Sequence, residues 1–252
     1  MRSIRLDLLA ADGLWRAIPR WSRDGRRLAY RRSRPGSPES ELAIVLLPAG
    51  GGDEQVLTSA GPARETALDW SADGEWILGN STRRTPGRTL ICLFPIAAAP
   101  HAETQMRVVA ADAEQSLFQA RFSPDERWIS FNAIRASDAG FSTIYVVPRA
   151  GGTWTRITEG KYWDDKARWS LDGRTVYFVS NRTGFFNVWG IRFDPARGAP
   201  VGEPFRITTF DSPGQMVLPR PGLLELSIAG DRMVLPITEV SGSIWMLTNV
   251  DR

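Results

Sequence analysis

A single histidine and a single cysteine set a low ceiling on the chemistry this 252-residue chain can carry. A serine–histidine–acid triad needs its histidine beside a nucleophile. The histidine here is His101, in AAAPHAETQ, and no Gly-x-Ser-x-Gly elbow is present to supply a serine. His101 therefore reads as a solvated loop residue. Cys92 lies in the apolar run TLICLFPIA, has no second cysteine to pair with, and reads as a small core residue. Zinc takes three or four Cys or His ligands, more than the chain holds. Asp164-Asp165 offers adjacent carboxylates, but no Asp-x-Asp-x-Asp-Gly calcium loop surrounds them. Neither glycine motif that cradles phosphates occurs. No cofactor and no metal is expected.

What does concentrate is the chemistry of a binding surface. Tyr162, Trp163, Asp164 and Asp165 stand together in EGKYWDDKARWS, and Arg182 follows in the corner Ser180-Asn181-Arg182. Aromatic and arginine side chains dominate contact energies between proteins, so these five residues are the candidate partner-binding set; the competing reading makes Trp163 a cap on the core. The turn SADGEW, Ser71 to Trp76, has the Asp and Gly of a glycosidase Asp-box, but the two adjoin where that motif separates them by one residue. A two-carboxylate mechanism also needs positioned acids that cannot be picked out. Its Asp is read as a turn residue.

The elements that must position these residues are repeats. PRWSRDGRRLAY from Pro19, LDWSADGEWILG from Leu68, ARFSPDERWISF from Ala120 and ARWSLDGRTVYF from Ala167 are copies of one pattern, and LSIAGDRMVLPI from Leu226 is a worn fifth. Their markers Trp21, Trp70, Phe122, Trp169 and Ser227 recur about every 50 residues, a period that denotes a repeat architecture. In each copy a strand ending in an aromatic-Ser pair meets Asp-Gly and returns as an apolar strand. That is a strong hairpin signal, because glycine enters the left-handed region freely and Asp bonds its own backbone. The third copy has Asp125-Glu126 there, so its turn is expected to be strained or of another type.

A third strand rich in β-branched and aromatic residues follows (ELAIVLLPA, TLICLFPIA, STIYVVPRA, FNVWGIRFD, GSIWMLTNV), closed in three copies by Pro48, Pro95 and Pro148. A polar fourth strand comes next, as in DEQVLT, WTRIT and PFRIT. Four antiparallel strands per unit are the signature of a propeller blade. The fold class expected is therefore all-β: a single β-propeller domain over 1–252, with repeats starting near 19, 68, 120, 167 and 226. Residues 1–18, with IRLDLLAADGLWRAI, read as the third and fourth strands of a blade, so the ring is either strand-exchanged or part of a longer propeller. The recurring aromatic is expected between neighbouring blades, and Trp154, Trp189 and Trp245 in the core.

The pattern RWS-x-DG-R-x-V-Y-F-V-SNR-x-G followed by NVW resembles the WD-repeat-like brick of TolB-like β-propellers, and STIYVVPRAGGTWTRIT resembles the second half of that brick. The likeness runs from Pro19 to Arg252. It implies a bacterial scaffold, alone or fused behind a protein kinase or a winged helix, with varied partners and typically six blades. The serine peptidase domain that some related propellers precede is not in this sequence.

Hydrophobic residues make up 42% of the chain, enough for a sizeable core, and 31 basic against 28 acidic residues leave a net charge of +3. Lys161 and Lys166 are the only lysines. Arginine pairs with carboxylates and stacks on aromatic rings, so in this acid- and Trp-rich chain it serves surface pairing rather than a phosphate backbone. Neither nucleic-acid binding nor membrane insertion is expected, and no stretch fits a signal peptide or a membrane span. The chain is expected to be monomeric, and cytoplasmic unless it belongs to a longer exported protein. The function expected is a non-enzymatic scaffold that meets another protein or a fused domain through loop and channel surfaces. The alternatives are an accessory domain of an enzyme or regulator, and a hydrolase of peptides or sugars.

Overall fold

The computed structural model describes residues 13–33, 43–58, 63–85, 87–212, 214–217, 225–229 and 231–239. Four four-stranded antiparallel sheets follow one another along the chain. The first holds β1 (Trp15–Trp21), β2 (Arg27–Ser33), β3 (Ala43–Pro48) and β4 (Gln55–Val56). The second holds β5 (Glu65–Trp70), β6 (Trp76–Ser81), β7 (Leu90–Pro95) and β8 (Arg107–Ala110). The third holds β9 (Gln115–Phe122), β10 (Trp128–Arg135), β11 (Thr143–Pro148) and β12 (Thr155–Arg156). The fourth holds β13 (Asp164–Trp169), β14 (Thr175–Ser180), β15 (Asn187–Asp194) and β16 (Ala199–Arg206). Each is a blade in sequence order. The first strands β1, β5, β9 and β13 contact one another in succession, so they line a shared inner edge.

The first two strands of every blade are joined by the same hydrogen-bonded turn. Ser22 Oγ donates to Asp24 Oδ1 (2.6 Å), Asp24 Oδ1 accepts the Arg26 N–H (3.0 Å), and the Arg27 N–H returns to Ser22 Oγ (2.9 Å). Ser71 with Asp73, Ser123 with Asp125 and Ser170 with Asp172 repeat it. The repeated Asp is thus a turn residue. Glu126 takes the glycine position of the third copy in the same conformation, φ 56° against 68°, 70° and 67° at Gly25, Gly74 and Gly173. A side chain there is strained, yet this one links three blades: its carboxylate accepts the Ala72 N–H, pairs with Arg149, and lies 3.4 Å from Arg23. The outer strands have their own device. The threonine ending the fourth-strand motif, Thr58, Thr158 or Thr208, accepts the N–H of the second residue of the third strand, Ile44, Ile144 or Val188.

Each first strand also carries one extra residue relative to its partner, a β-bulge at Ala17/Arg20, Ala67/Asp69, Phe118/Arg121 and Asp165/Arg168. The strands therefore start at Trp15, Glu65, Gln115 and Asp164, a few residues before the repeat starts near 19, 68, 120 and 167. The bulge breaks the alternation that marks a strand, and so hides its first half. Trp15 to Ile18 accordingly belong to the first strand of the first blade, not to a preceding fourth strand; the rest of the expected half-blade, residues 4–12, lies outside the described residues.

Apolar faces meet between consecutive blades. Ala29, Ile44, Leu46 and Leu57 of the first pack with Ala67, Trp70, Ile77 and Phe94 of the second. Leu68, Leu78, Ile91 and Leu93 pack with Leu117, Phe122, Ile129 and Phe131, and Ile144, Val146 and Ile157 pack with Trp169, Val176, Phe178 and Ile191. Trp70 is fully buried; its Nε1 donates to Arg20 O (2.9 Å) and Arg27 of the first blade stacks 4.8 Å over its ring. Trp154 packs edge-on to Phe131 at 4.9 Å from just before β12, rather than from within a strand. Cys92 is buried in the second blade.

The fifth repeat has a different organisation. β17 (Gln215–Val217) pairs with β20 (Ile237–Glu239), and β18 (Ser227–Ala229) pairs with β19 (Arg232–Val234) as a hairpin. Val217 and Leu226 pack against Val179 and Val188 of the fourth blade. Its expected third strand, residues 242–250 with Trp245, lies outside the described residues.

Two measurements check these assignments. Trp70→Ala should cost about 3–5 kcal/mol in urea unfolding, the range for deleting a buried large aromatic side chain. The turn aspartates give a pH signature. Hydrogen bonds from Ser22, Ser71 and Ser170, with those from the following backbone N–H groups, hold the carboxyls of Asp24, Asp73 and Asp172 below the ordinary 3.8. With folded pKa values depressed, the unfolded chain takes up protons first, so their contribution is complete above pH 3.8 and lost as pH falls through the folded values. The triple Asp→Asn variant should show a flatter fall in unfolding midpoint below pH 4 than the parent chain.

Candidate functional site

The structure gathers the five expected site residues at the start of β13. Asp164 is fully buried and accepts a hydrogen bond from Arg182 Nη2 at 3.1 Å. The Arg182 guanidinium also donates to Ser180 Oγ (3.0 Å) and lies over the rings of Tyr162 (5.3 Å), Phe178 (5.2 Å) and Trp189 (4.9 Å). Trp163 is pinned at both ends: its backbone N–H donates to Asn181 Oδ1 (3.0 Å) and its Nε1 faces Asp165 Oδ2 at 3.5 Å. EGKYWDDKARWS runs from one blade's last strand to the next blade's first, which as a sequence places Tyr162 to Asp165 in the connecting loop, but Asp164 and Asp165 are already residues of β13 with buried side chains. Burial raises the pKa of both carboxyls. Tyr162 and Trp163, half-buried, are the members that solvent reaches; Ser142 pairs with their backbone, and the preceding Phe141 is 41% exposed. A cavity of about 290 Å³ opens next to Phe141, with Arg135, Tyr145, Arg156 and Glu159 in its wall.

The acid–arginine corner has a counterpart in the second blade. Glu65, at the same register against Ser81 as Asp164 against Ser180, pairs with Arg83 at 3.0 Å. Matching pairs in two blades show Asp164 and Arg182 acting as a brace at the top of the blade, and this brace sets the position of Tyr162.

A second cluster, at the inner edge, escaped the motif reading. The residue just before the marker aromatic is Arg20, Asp69, Arg121 or Arg168 in the four blades. Arg20 Nε (2.9 Å) and Arg121 Nη1 (2.7 Å) both donate to the Leu68 carbonyl oxygen, so two guanidinium groups converge on one acceptor. Arg168 donates to Leu226 O and Ala167 O and pairs with Glu225 at 2.9 Å; Glu225 reaches Arg20 at 3.6 Å and so bridges the fourth and first blades. Asp69 Oδ2 accepts the Phe122 N–H, and buried Lys166 stands 3.8 Å from Asp165. Burial, then the neighbouring Arg168 and Arg20, hold the Arg121 pKa well below the ordinary arginine value, although its side chain keeps partial contact with solvent. Each of these residues is the second of its repeat, in RW, DW, RF and RW, so the spacing is regular in the sequence although nothing local marks the four as one cluster.

No family model matches the chain. An uncharacterized protein of Agrobacterium fabrum is 38% identical over 73 residues, 29% of this chain and 24% of that protein. Among solved structures, a TolB-assigned protein of Agrobacterium tumefaciens superposes with TM-score 0.60 at 22% identity, covering 89% of this chain and 77% of the other. TolB of Acinetobacter baumannii gives 0.58 at 21%, over 89% and 52%. The fold is that of a TolB-like β-propeller. A puromycin-hydrolyzing peptidase of Mycobacterium tuberculosis also superposes, with TM-score 0.63 at 12% identity over 90% of this chain and 44% of that one. The chain thus spans about half of the Acinetobacter TolB, less than half of the peptidase and a quarter of the Agrobacterium fabrum protein.

In this TolB-like propeller His101 is exposed, with its Nδ1 3.8 Å from Glu103. Among the described residues no group of three His, Cys, Asp or Glu side chains is placed to hold a metal ion, and no helix is long and apolar enough to cross a membrane.

The brace has a direct test. Removing one partner of a buried pair strands the other, so Arg182→Met and Asp164→Asn should each cost about 3–5 kcal/mol. The double variant should cost clearly less than the sum, and chemical denaturation of the four proteins gives the coupling.

Proposed function

We propose that this chain is a non-enzymatic TolB-like scaffold that holds a protein partner, or a domain fused to it, on its loop surface and inner edge. The observation that carries this reading is the rigid presentation of Tyr162 and Trp163. Two solvent-reached aromatic side chains are tied by Asn181, Asp165 and Arg182 to a buried strand, next to exposed Phe141. Pre-organised aromatic residues lose little freedom on binding and are the residues that dominate contact energies. Asp164, Asp165 and Arg182 take part by fixing that pair in place rather than by touching the partner. A compartment is proposed only as the cytoplasm, or the periplasm if the chain is part of an exported protein.

The likeness to a peptidase favours a second reading, in which the propeller is the accessory domain of an enzyme. The two separate in one experiment. A photo-crosslinking residue placed at Trp163, and as a control at exposed Val201 on the outer strand β16, is used in the native host. A discrete protein adduct at 163, absent at 201 and reduced at least several-fold by Tyr162→Ala, is expected. Purified chain should turn over no member of peptide and glycoside panels. A His101-dependent rate, or equal labelling at both positions, would overturn the scaffold.

A further inference from the structure

Arg121, at the inner edge, lacks the carboxylate that several other buried arginines have among the described residues. Arg182 has Asp164, Arg83 has Glu65, and Arg16 and Arg32 share Glu54. Arg121 has two backbone carbonyls, and among the described residues no carboxylate stands within ion-pair distance of it. Two further guanidinium groups, Arg20 and Arg168, lie around it, with the carboxylates of Asp69 and Glu225 farther than ion-pair distance. Guanidinium groups that converge on a single carbonyl oxygen repel one another, and such an arrangement is favourable when an anion sits between them.

A backbone observation points to the same place. Ile18, Gln119 and Lys166 adopt φ of 58°, 57° and 57°, a conformation that is uncommon for residues other than glycine and a genuine outlier for β-branched Ile18. Each lies in the bulge two residues before Arg20, Arg121 or Arg168. The second blade presents Asp69 at that register, and its bulge has no such residue. The strained conformation thus accompanies arginine, blade by blade. Bulges re-aim side chains, and strain of this kind persists where it serves a site.

The cluster already holds one carboxylate. Glu225 bridges Arg168 and Arg20 while its own side chain is 49% exposed, which makes it a displaceable occupant. We propose that Arg20, Arg121 and Arg168 form a binding site for a carboxylate-bearing ligand at the inner edge, and that Glu225 fills part of this site in the free chain. This rests on the reading of the inner edge as a binding surface and names the chemistry that it selects. The carboxylate has two sources, acidic side chains of a peptide or a free small polyacid.

The experiment uses the purified chain with two probes in low salt: a fluorescent, N-acetylated and C-amidated tri-glutamate peptide, and citrate, followed by anisotropy and by calorimetry. Saturable binding of either probe is expected. Citrate that competes for the peptide site marks a general polyacid site, and peptide binding that citrate leaves unchanged marks a peptide site. Arg121→Met should weaken binding at least tenfold while the chain still unfolds in a cooperative thermal transition, and Arg121→Lys should recover part of the binding. Glu225→Gln should tighten binding several-fold, because it removes the internal competitor. If neither probe binds parent chain or Glu225→Gln, or if Arg121→Met and Arg121→Lys both bind as the parent does, the inference is wrong. Trp163→Ala, which leaves the arginines untouched, should bind both probes normally. Loss of the crosslinked adduct with carboxylate binding intact would therefore count against the scaffold reading alone, and the reverse outcome against this inference alone.

Discussion

A four-stranded sheet whose two faces are both apolar must be covered on both, and in this chain neighbouring sheets do it; this constraint governs the molecule. In β6 the residues Ile77 and Leu78 point to opposite faces; one joins the cluster shared with the first blade and the other the cluster shared with the third. The alternation that a solvated sheet would divide between core and water is here divided between two neighbours. Blade-to-blade contact is therefore the core itself, and the marker aromatic sits where that contact begins. Trp70 shows how: its ring is covered by Arg27 of the blade before it, and its indole N–H meets a carbonyl of that same blade.

Stacking sheets this way forces their first strands together, and the inner edge inherits an electrostatic problem. Backbone carbonyls at this edge, such as Leu68 O in β5 and Leu226 O just before β18, need donors. Arginine at the position before the aromatic supplies them across blades, so its first role is to link strands that share no ladder. The bulge makes this reach possible by turning the side chain out of the regular alternation. Each guanidinium brings five donors and a full charge, however, while a carbonyl accepts only part of that. The surplus is what distinguishes this edge from the outer strands.

The sequence made the blades legible because the features that define them are local. Asp-Gly with a preceding Ser, a Pro-closed third strand and a Thr-ended fourth strand each carry their own hydrogen bonds, and the structure shows them doing so. The TolB-like resemblance read from RWS-x-DG and SNR matches the fold. The beginnings of the first strands were not legible, since the bulge erases the period of two at that point. The site was legible only in composition: Tyr162, Trp163, Asp164, Asp165 and Arg182 do come together, but burial of the two acids depends on a ladder partner, Ser180, and on rings contributed by β14 and β15. The inner-edge set was invisible for a different reason. Its members are about 50 residues apart and acquire meaning only when separate blades place them side by side.

The same register at the top of each blade shows that evolution of the repeat has kept packing and exchanged charge. Where the fourth blade has Asp164 against Ser180 with Arg182, the second has Glu65 against Ser81 with Arg83. The first reverses the sign, setting Arg16 against Arg32 with Glu54 shared between them, which leaves one positive charge. The third dispenses with charge and sets Leu117 against Ala133. Three of the four corners are neutral and the first keeps one positive charge. The inner edge has the same net surplus, three arginines against Asp69 and Glu225, but distributes it differently: in the corners each arginine has a carboxylate within ion-pair distance, whereas at the inner edge Arg121 is held by carbonyl oxygens. Carbonyls satisfy its donors and leave its charge, so a carboxylate that binds there recovers an interaction the free chain lacks.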